Sequence, residues 1–326
     1  MPTDSAARLT GRCVLRLVGA RLVCCAVEVT PSLSIIGAPS SAGAYAPGQE
    51  RAPLAWREHG LIASLEAAGR DVRDLGDVAA FRWRADRGQP QAMNASAVAA
   101  TARQVADRVA GALKAGDDVL VLGGDCTVEL GSIAGALTQD RSVALVYIDL
   151  DADLKVPATG EGAIDWMGVA HLVDAEGSLD ELASLGPRRP MLAGRDVLLF
   201  AQDNITDSEA TIIAQTGIAV ETLESVHQDP VAAAEGAVEW ASGHDDLWVH
   251  VDVDVLSWLD FPIAENSRRR DGLTLDELAA VLRRLVAAPT WRGLTICEVN
   301  PDHAPVEAQS FARLVATLGD IFTVGG

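Results

Sequence analysis

Basic residues are scarce in this sequence, with 26 lysines and arginines against 46 aspartates and glutamates and a formal net charge of -20. A chain with this balance repels phosphate backbones and anionic lipid, which argues against nucleic-acid binding and membrane-surface binding. The same negative field attracts cations. A cationic small molecule or a metal ion is therefore the expected type of ligand.

Cysteine is scarce as well, with five residues in a chain of 326. Five scattered cysteines do not form a disulfide framework in a chain of this length, so a reducing, cytoplasmic location is expected. No apolar run reaches the roughly 18 residues that a membrane span requires. The most hydrophobic N-terminal stretch is interrupted by Arg12, Arg16 and Arg21, which also makes it a poor signal-peptide core.

Short apolar runs alternate with longer segments rich in alanine and leucine from about Leu33 onward. The predicted strands cover residues 33–39, 118–124, 142–149, 196–202, 218–223, 246–254 and 293–300. Residues 95–116 and 274–288 repeat apolar side chains every three and four positions, which is typical of amphipathic helices. Because the strands are apolar on both faces, the pattern predicts a mainly parallel sheet between two helix layers, a single three-layer α/β/α domain.

An N-terminal extension of residues 1–32 precedes this domain, which is predicted to cover residues 33–326. Arginine recurs every four positions in the extension, at Arg8, Arg12 and Arg16. Three interpretations stay open for it: a disordered tail, an extra helix, or translation from an upstream start.

Acidic residues recur where the predicted strands end, and those ends meet at one edge of a parallel sheet, where ligands bind. The residues are Asp125, Asp149, Asp151, Asp153, Asp252, Asp254 and Glu298. A single aspartate at such a position is commonly a helix N-cap. So many converging carboxylates would repel one another strongly unless cations balanced their charge. The sequence therefore predicts a two-metal site or a degenerate form of one.

Five motifs, in this order along the chain, carry a resemblance to a known family. They are "IIGAPSSAGAYAPGQERAP" (35–53), "GGDCTVELGSIAGAL" (123–137), "DLDADLKVP" (149–157), "DVDVLSW" (252–258) and "EVNP" (298–301). The chain resembles the ureohydrolase superfamily of arginases, agmatinases and formiminoglutamases over about residues 33–323. The resemblance implies one arginase-like α/β/α domain that binds two divalent metal ions, most often Mn²⁺, at the C-terminal edge of its sheet.

Carried over residue by residue, the resemblance implies a ligand set in which Asp149 and Asp252 bridge two ions. The first ion would bind Cys126, Asp149, Asp153 and Asp252, and the second Asp149, Asp151, Asp252 and Asp254. Cys126 and Asp151 stand where the family has histidines. Because Asp149, Asp151 and Asp153 alternate along an extended segment, their side chains point to one side, as a shared site requires.

The two replaced histidines change the charge of this ligand set. Five aspartates and a neutral thiol, or a thiolate, exceed the charge of two divalent ions by one or two, which raises the pKa of a bridging water. Lys155 either offsets this excess and contacts substrate or is a solvent-facing loop lysine. Carboxylates favour Mn²⁺, Mg²⁺ or Ca²⁺, whereas a Cys126 thiolate favours Zn²⁺. Two other roles stay open for Cys126: a redox-sensitive site, or packing as a small buried side chain.

The resemblance also implies catalytic and substrate roles. Glu298 matches the carboxylate that holds a guanidinium, Asp203 is placed like a residue that contacts an α-amino group, and Asp153 would stabilise a tetrahedral intermediate. Trp166 or Met167 stands where a proton-shuttle histidine is expected. His171 is either its replacement or a packed residue. Asp125 is expected to orient a neighbour through hydrogen bonds rather than to bind metal.

The sequence therefore favours an enzyme, a hydrolase of the C–N bond of a guanidino or related amidine substrate that uses a metal-bridging hydroxide and releases urea or formamide. Arginine, N-hydroxyarginine, agmatine, a guanidino acid and formiminoglutamate all remain candidate substrates. The alternative is a degenerate, non-catalytic homologue with a structural or regulatory role. The resemblance further implies a homo-oligomer, a trimer or hexamer.

Overall fold

Apolar runs without a polar face form the centre of the sheet, as their composition predicts. The computed structural model describes the backbone of residues 11–18, 21–28, 30–268, 270–304 and 309–323, and the side chains within these ranges from residue 30 onward. The strands are β1 Gly11–Val18, β2 Arg21–Glu28, β3 Leu33–Gly37, β4 Val72–Asp77, β5 Asp118–Leu122, β6 Val143–Ile148, β7 Val197–Gln202, β8 Ala219–Thr222, β9 Asp246–Asp252 and β10 Trp291–Cys297.

Eight of these strands form one parallel sheet in the order β4, β3, β5, β10, β9, β6, β7 and β8. The seven strands predicted from the sequence are all present. The eighth, β4, was missed because it is a polar edge strand, "VRDLGD", whose side chains are partly or fully exposed. The prediction of a mainly parallel sheet in an α/β fold is confirmed.

Helices cover both faces of the sheet. They are α1 Ala52–Glu58, α2 Leu61–Ala67, α3 Ala95–Ala115, α4 Val128–Ala136, α5 Gly168–Leu172, α6 Asp180–Ala183, α7 Asp207–Thr216, α8 Leu223–Gln228, α9 Pro230–Ala241, α10 Leu275–Val286 and α11 Ser310–Ile321. Two apolar cores result: one packs α1, α2 and α8–α11 on the sheet, and the other packs α3–α6 on the opposite face. Both predicted helices, 95–116 and 274–288, are present as α3 and α10.

Part of the N-terminal extension pairs as a hairpin. β1 and β2 form an antiparallel two-stranded sheet that is separate from the main one. A hairpin was not among the three interpretations offered by the sequence, and residues 1–10, including Arg8, lie outside the described part of the chain. No helix within the described ranges has the length and apolar character needed to cross a membrane.

Candidate metal centre

Four neighbouring strands bring predicted site residues to one edge of the sheet. In the order β5, β10, β9 and β6, their carboxyl ends lead directly into Cys126, Glu298, Asp252 and Asp149. Gly124 lets the loop after β5 pass close to the backbone of Ser40, since a Cβ on it would lie 1.7 Å from the carbonyl oxygen of Ser40. The convergence follows from the parallel arrangement of the strands.

The segment after β6 holds its three aspartates through local hydrogen bonds. The backbone N–H of Asp151 donates to Oδ1 of Asp149 over 2.8 Å, and the hydroxyl of Tyr147 donates to Oδ2 of Asp153 over 2.5 Å. Asp153 has a φ of 50°, in the left-handed region that non-glycine residues seldom adopt. Such a conformation at a carboxylate is typical of functional sites.

The segment after β9 positions its two aspartates in a similar way. Oδ1 of Asp252 accepts the backbone N–H of Asp254 over 2.7 Å and caps the short 3-10 helix Val253–Val255. The side-chain amide of Asn266 donates to Oδ2 of Asp254 over 3.0 Å. Asn266 thereby joins the site, although the sequence analysis did not single it out.

Seven carboxylates surround a small inner cavity of about 20 Å³. They belong to Asp149, Asp151, Asp153, Asp165, Asp252, Asp254 and Glu298, and no basic residue joins them among the described lining residues. Candidate ligand atoms of Cys126, Asp149 and Asp153 lie within 4.8 Å of one another, as do those of Asp149, Asp151 and Asp254. Asp149 thus belongs to both groups, and its bridging position stays a prediction.

Burial makes this cluster unfavourable in the absence of cations. It raises the pKa of Asp149, Asp153 and Asp252 well above the usual range, and repulsion by neighbouring carboxylates raises these pKa values further. Oδ2 of Asp149 is buried and accepts no hydrogen bond from the described residues. A buried oxygen without a donor, surrounded by other carboxylates, fits a divalent cation well.

Asp165 also lines the inner cavity, and the sequence analysis missed it. It lies in the short 3-10 helix Asp165–Met167, and its Oδ1 accepts the backbone N–H of Cys126 over 2.8 Å. Burial and the neighbouring Asp125 raise the pKa of Asp165 to about 8. Its position directly before Trp166, where the family histidine was sought, is a signal that could have found it.

Cys126 lies between the carboxylates and a buried imidazole. Its Sγ is 3.3 Å from Nε2 of His250 and donates to Oδ2 of Asp252 over 3.4 Å. Burial, with the neighbouring Cys297 and Asp252, raises the pKa of the Cys126 thiol well above its usual range. Cys126 is absent from the described lining of the inner cavity, although its Sγ lies within 4.8 Å of carboxylate oxygens of Asp149 and Asp153.

Glu298 faces the inner cavity, but its two oxygens are engaged by the protein. Oε2 accepts the side-chain amide of Gln49 over 3.0 Å, and Oε1 accepts the backbone N–H of Cys126 over 3.1 Å. Burial and the nearby Asp165 raise the pKa of Glu298 well above its usual range. Gln49 therefore orients Glu298, and the sequence analysis did not identify it.

An outer cavity of about 420 Å³ opens over the carboxylates. Lys155 lines it, and its Nζ lies 4.7 Å from the centre of the Trp166 ring, a cation–π arrangement. Asn204 also lines it and donates to Oδ1 of Asp151. This is the size of cavity that binds a small molecule.

Two predicted site residues lie apart from the carboxylate cluster. His171 on α5 is fully buried, its Nδ1–H donates to the carbonyl oxygen of Met167 over 2.6 Å, and it lines neither cavity. Burial lowers the pKa of its imidazole. Asp203 lines a separate surface depression with Glu224 and His227, whereas the next residue, Asn204, reaches the outer cavity.

Asp125 is saturated by hydrogen bonds that hold the loop after β5. Its Oδ2 accepts the backbone N–H of Gly43 over 3.0 Å, and its Oδ1 accepts the backbone N–H of Thr127 over 3.1 Å. Burial raises the pKa of Asp125 to about 6. These bonds fit the predicted orienting role.

Comparison with known proteins gives the family. The sequence profile of the arginase family matches residues 31–319. Arginase-1 of Sus scrofa is 28% identical over 275 residues, which are 83% of this chain and 85% of that protein. The fold is similar to that of Bacillus cereus arginase, with a TM-score of 0.81, 24% identity and coverage of 91% of this chain and 100% of that one.

Formimidoylglutamase of Bacillus subtilis subsp. subtilis str. 168 shares the fold at a TM-score of 0.70 and 16% identity, covering 91% of this chain and 87% of that one. The family profile covers most of the chain, and the motifs that suggested the resemblance lie at the carboxyl edge of the sheet. The chain therefore belongs to the arginase family.

Proposed function

We propose that this chain is a metal-dependent hydrolase of the C–N bond in a guanidino or related amidine substrate. One observation carries the proposal: seven carboxylates surround the inner cavity, and the outer cavity opens over them. A planar cation is well matched by such a surface. The relatives named arginase and formimidoylglutamase support the same class of reaction.

Two divalent cations, Mn²⁺ first among them, are the proposed cofactors. Asp149, Asp151 and Asp254 offer only carboxylate oxygens, which hard cations prefer, and Asp149 and Asp252 are the proposed bridges. The cations would supply the Lewis acidity that makes water a nucleophile near neutral pH. The five aspartates of the proposed ligand set place more negative charge there than two such cations balance.

The chain's own residues position the substrate around the attacked carbon. Asp153, held by the Tyr147 hydroxyl, would accept a hydrogen bond from the tetrahedral intermediate, and Glu298, oriented by Gln49, would hold the guanidinium. When the C–N bond breaks, the leaving amine must gain a proton. Asp165 lines the inner cavity beside these groups, and we propose that it holds that proton.

Basic and acidic side chains both line the outer cavity, which supports a substrate that carries a cationic group and an anionic group. Lys155 and Arg268 line it together with Asp151, Glu161 and Glu209. A guanidino acid would direct its guanidinium to the carboxylates and its own carboxylate to Lys155 and Arg268. Agmatine lacks that carboxylate, so we propose arginine or another guanidino acid as the substrate class.

The decisive experiment is metal loading followed by a substrate screen. The metal-stripped protein is incubated with Mn²⁺, bound metal is measured by elemental analysis, and urea release is assayed with arginine, agmatine and 4-guanidinobutyrate. We expect about two equivalents of Mn²⁺ and metal-dependent urea release. Two bound Mn²⁺ ions with no hydrolysis of any guanidino or amidine compound would refute the proposed activity.

A degenerate, non-catalytic homologue is the second candidate, and Cys126 is the observation that favours it. Its sulfur contacts His250 and Asp252, and the burial of the thiol raises its pKa well above the usual range. A protonated thiol is a poor metal ligand, so the first cation would be held more weakly. Binding of one Mn²⁺ or none, without turnover, would support this candidate. A cytoplasmic, homo-oligomeric state, a trimer or hexamer, stays a prediction.

A further inference from the structure

A second group of metal-ligand types lies beside the carboxylates, on the face of the sheet that α4 covers. It consists of Cys126, His250 and Cys297, whose ligand atoms lie within 4.8 Å of one another. All three side chains are buried, with 1% or less of their surface exposed. The sequence analysis assigned no role to His250 or Cys297.

Sheet register explains why these side chains meet. Cys297 on β10 is paired with Asp252 on β9, and Thr295 is paired with His250. Because alternate residues of a strand share a face, His250 lies on the same face as Asp252, one step deeper in the sheet. Gly123 leaves space for the Cys297 thiol, since a Cβ at Gly123 would lie 2.4 Å from its Sγ.

The imidazole of His250 is held in one orientation with one nitrogen directed at the sulfurs. Its Nδ1 lies 3.4 Å from Oε2 of the buried Glu129, and a carboxylate there accepts the Nδ1 proton. Nε2 then presents its lone pair to Sγ of Cys126 at 3.3 Å. Tyr147 stacks on the ring with centroids 4.1 Å apart and planes 6° from parallel.

This arrangement has the features of a zinc site rather than of a catalytic thiol. A carboxylate behind a histidine fixes the tautomer that binds zinc. In a tetrahedral zinc site, sulfur and nitrogen ligands lie about 3.5 Å apart, close to the spacing of Cys126 and His250. A nucleophilic cysteine must meet its substrate, yet neither Cys126 nor His250 is among the described residues that line the two cavities.

We propose that Cys126, His250 and Cys297 bind one soft divalent cation, Zn²⁺, at a site distinct from the all-carboxylate group of Asp149, Asp151 and Asp254. Two thiolates and a neutral imidazole balance the charge of Zn²⁺, so the site is neutral in its buried position. Two cysteines and a histidine leave a fourth position, which a water molecule can fill without a change of charge. The proposal does not depend on turnover of a guanidino substrate.

The test uses the full-length chain with Cys13, Cys24 and Cys25 replaced by serine, so that Cys126 and Cys297 are its two thiols. After removal of bound metal, one equivalent of Zn²⁺ is added and X-ray absorption at the zinc edge is measured. We expect two sulfur neighbours at about 2.3 Å. A shell of oxygen and nitrogen alone, or a single sulfur, would overturn the proposal.

Co²⁺ in place of Zn²⁺ distinguishes this site from the carboxylate centre, because Co²⁺ bound to thiolates has a charge-transfer absorption band. The band is measured in three variants. Cys297→Ser should reduce the band by about half, and Glu129→Gln should weaken Co²⁺ binding about 10- to 100-fold. Asp254→Ala is the control and should leave the band unchanged. An unchanged band in Cys297→Ser would refute the site, whereas failure of urea release alone would refute only the proposed hydrolase.

Discussion

Asp254 provides the sharpest single-residue test of the carboxylate centre. Among the described residues it belongs to one candidate ligand group, with Asp149 and Asp151. Asp254→Ala should weaken binding of the second Mn²⁺ by at least about 100-fold and abolish urea release. Calorimetric titration measures the first effect. Asp260→Ala, an exposed aspartate in the loop that follows, is the matched control, and equal Mn²⁺ binding by both variants would contradict the ligand assignment.

Lys155 tests the substrate class. Lys155→Met removes the ammonium group from the outer cavity, so the KM for arginine should rise about tenfold, while the KM for agmatine should stay the same. Steady-state kinetics with the two substrates measures both values. Lys114, the chain's other lysine, is exposed on α3, and Lys114→Met is the control. Equal effects of Lys155→Met on both substrates would exclude a contact with the substrate carboxylate.

Asp165 should make the stability of the metal-free protein depend on pH. The folded protein holds this proton up to a pKa of about 8, whereas the unfolded chain loses it near 3.8, so folding takes up a proton between these values. The free energy of unfolding therefore falls as pH rises, by up to about 1.4 kcal/mol per pH unit for one group.

Asp165→Asn should make that dependence shallower between about pH 5 and about pH 8, as measured by urea denaturation of the metal-stripped protein. Mn²⁺ should reduce the dependence in the parent chain, because cations stabilise the ionised carboxylates. The same slope in the parent and in Asp165→Asn would show that Asp165 does not retain a proton.

At the scale of elements, the close packing of α3 on α4 determines where Cys126 and Glu129 lie. A Cβ on Gly131 of α4 would lie 2.4 Å from the carbonyl oxygen of Ala102, and one on Gly135 would lie 2.6 Å from that of Ala106. Gly131→Ala should therefore separate the two helices and destabilise the protein by about 1–3 kcal/mol. Thermal or denaturant unfolding measures the loss.

Gly236 on α9 is the matched control for that substitution, since a Cβ there meets nothing within 4 Å. Gly236→Ala should stabilise the protein by about 0.5–1 kcal/mol, because alanine favours the helix and restricts the unfolded chain. If Gly131→Ala were equally stabilising, the α3–α4 contact would not need a glycine.

At the scale of the whole molecule, the β1–β2 hairpin is separate from the eight-stranded sheet. Deleting residues 1–30 should leave the α/β fold intact, with a Mn²⁺ stoichiometry and a melting temperature close to those of the full chain. Circular dichroism and elemental analysis check this outcome. Loss of soluble protein on truncation would mean that the hairpin belongs to the folding unit.

Much of the architecture could be read from local patterns. Buried strands such as β5 and β6 are unbroken apolar runs, and α10 repeats its apolar side chains with helical spacing. The polar edge strand β4 lacked such a signal, because an edge strand needs no apolar face on both sides. A periodic apolar pattern indicates which side chains are buried, so it does not detect a strand whose side chains are largely exposed.

The sequence by itself determined that the carboxylates at the strand ends reach the sheet edge, because the carboxyl ends of parallel strands all lie at the same edge. Only the tertiary structure decided that Asp165 joins them and that Asn204, rather than Asp203, reaches the outer cavity. It also decided that Cys126 faces His250 and Cys297. These contacts join residues far apart in the chain, and the register and helix packing that create them leave no local pattern.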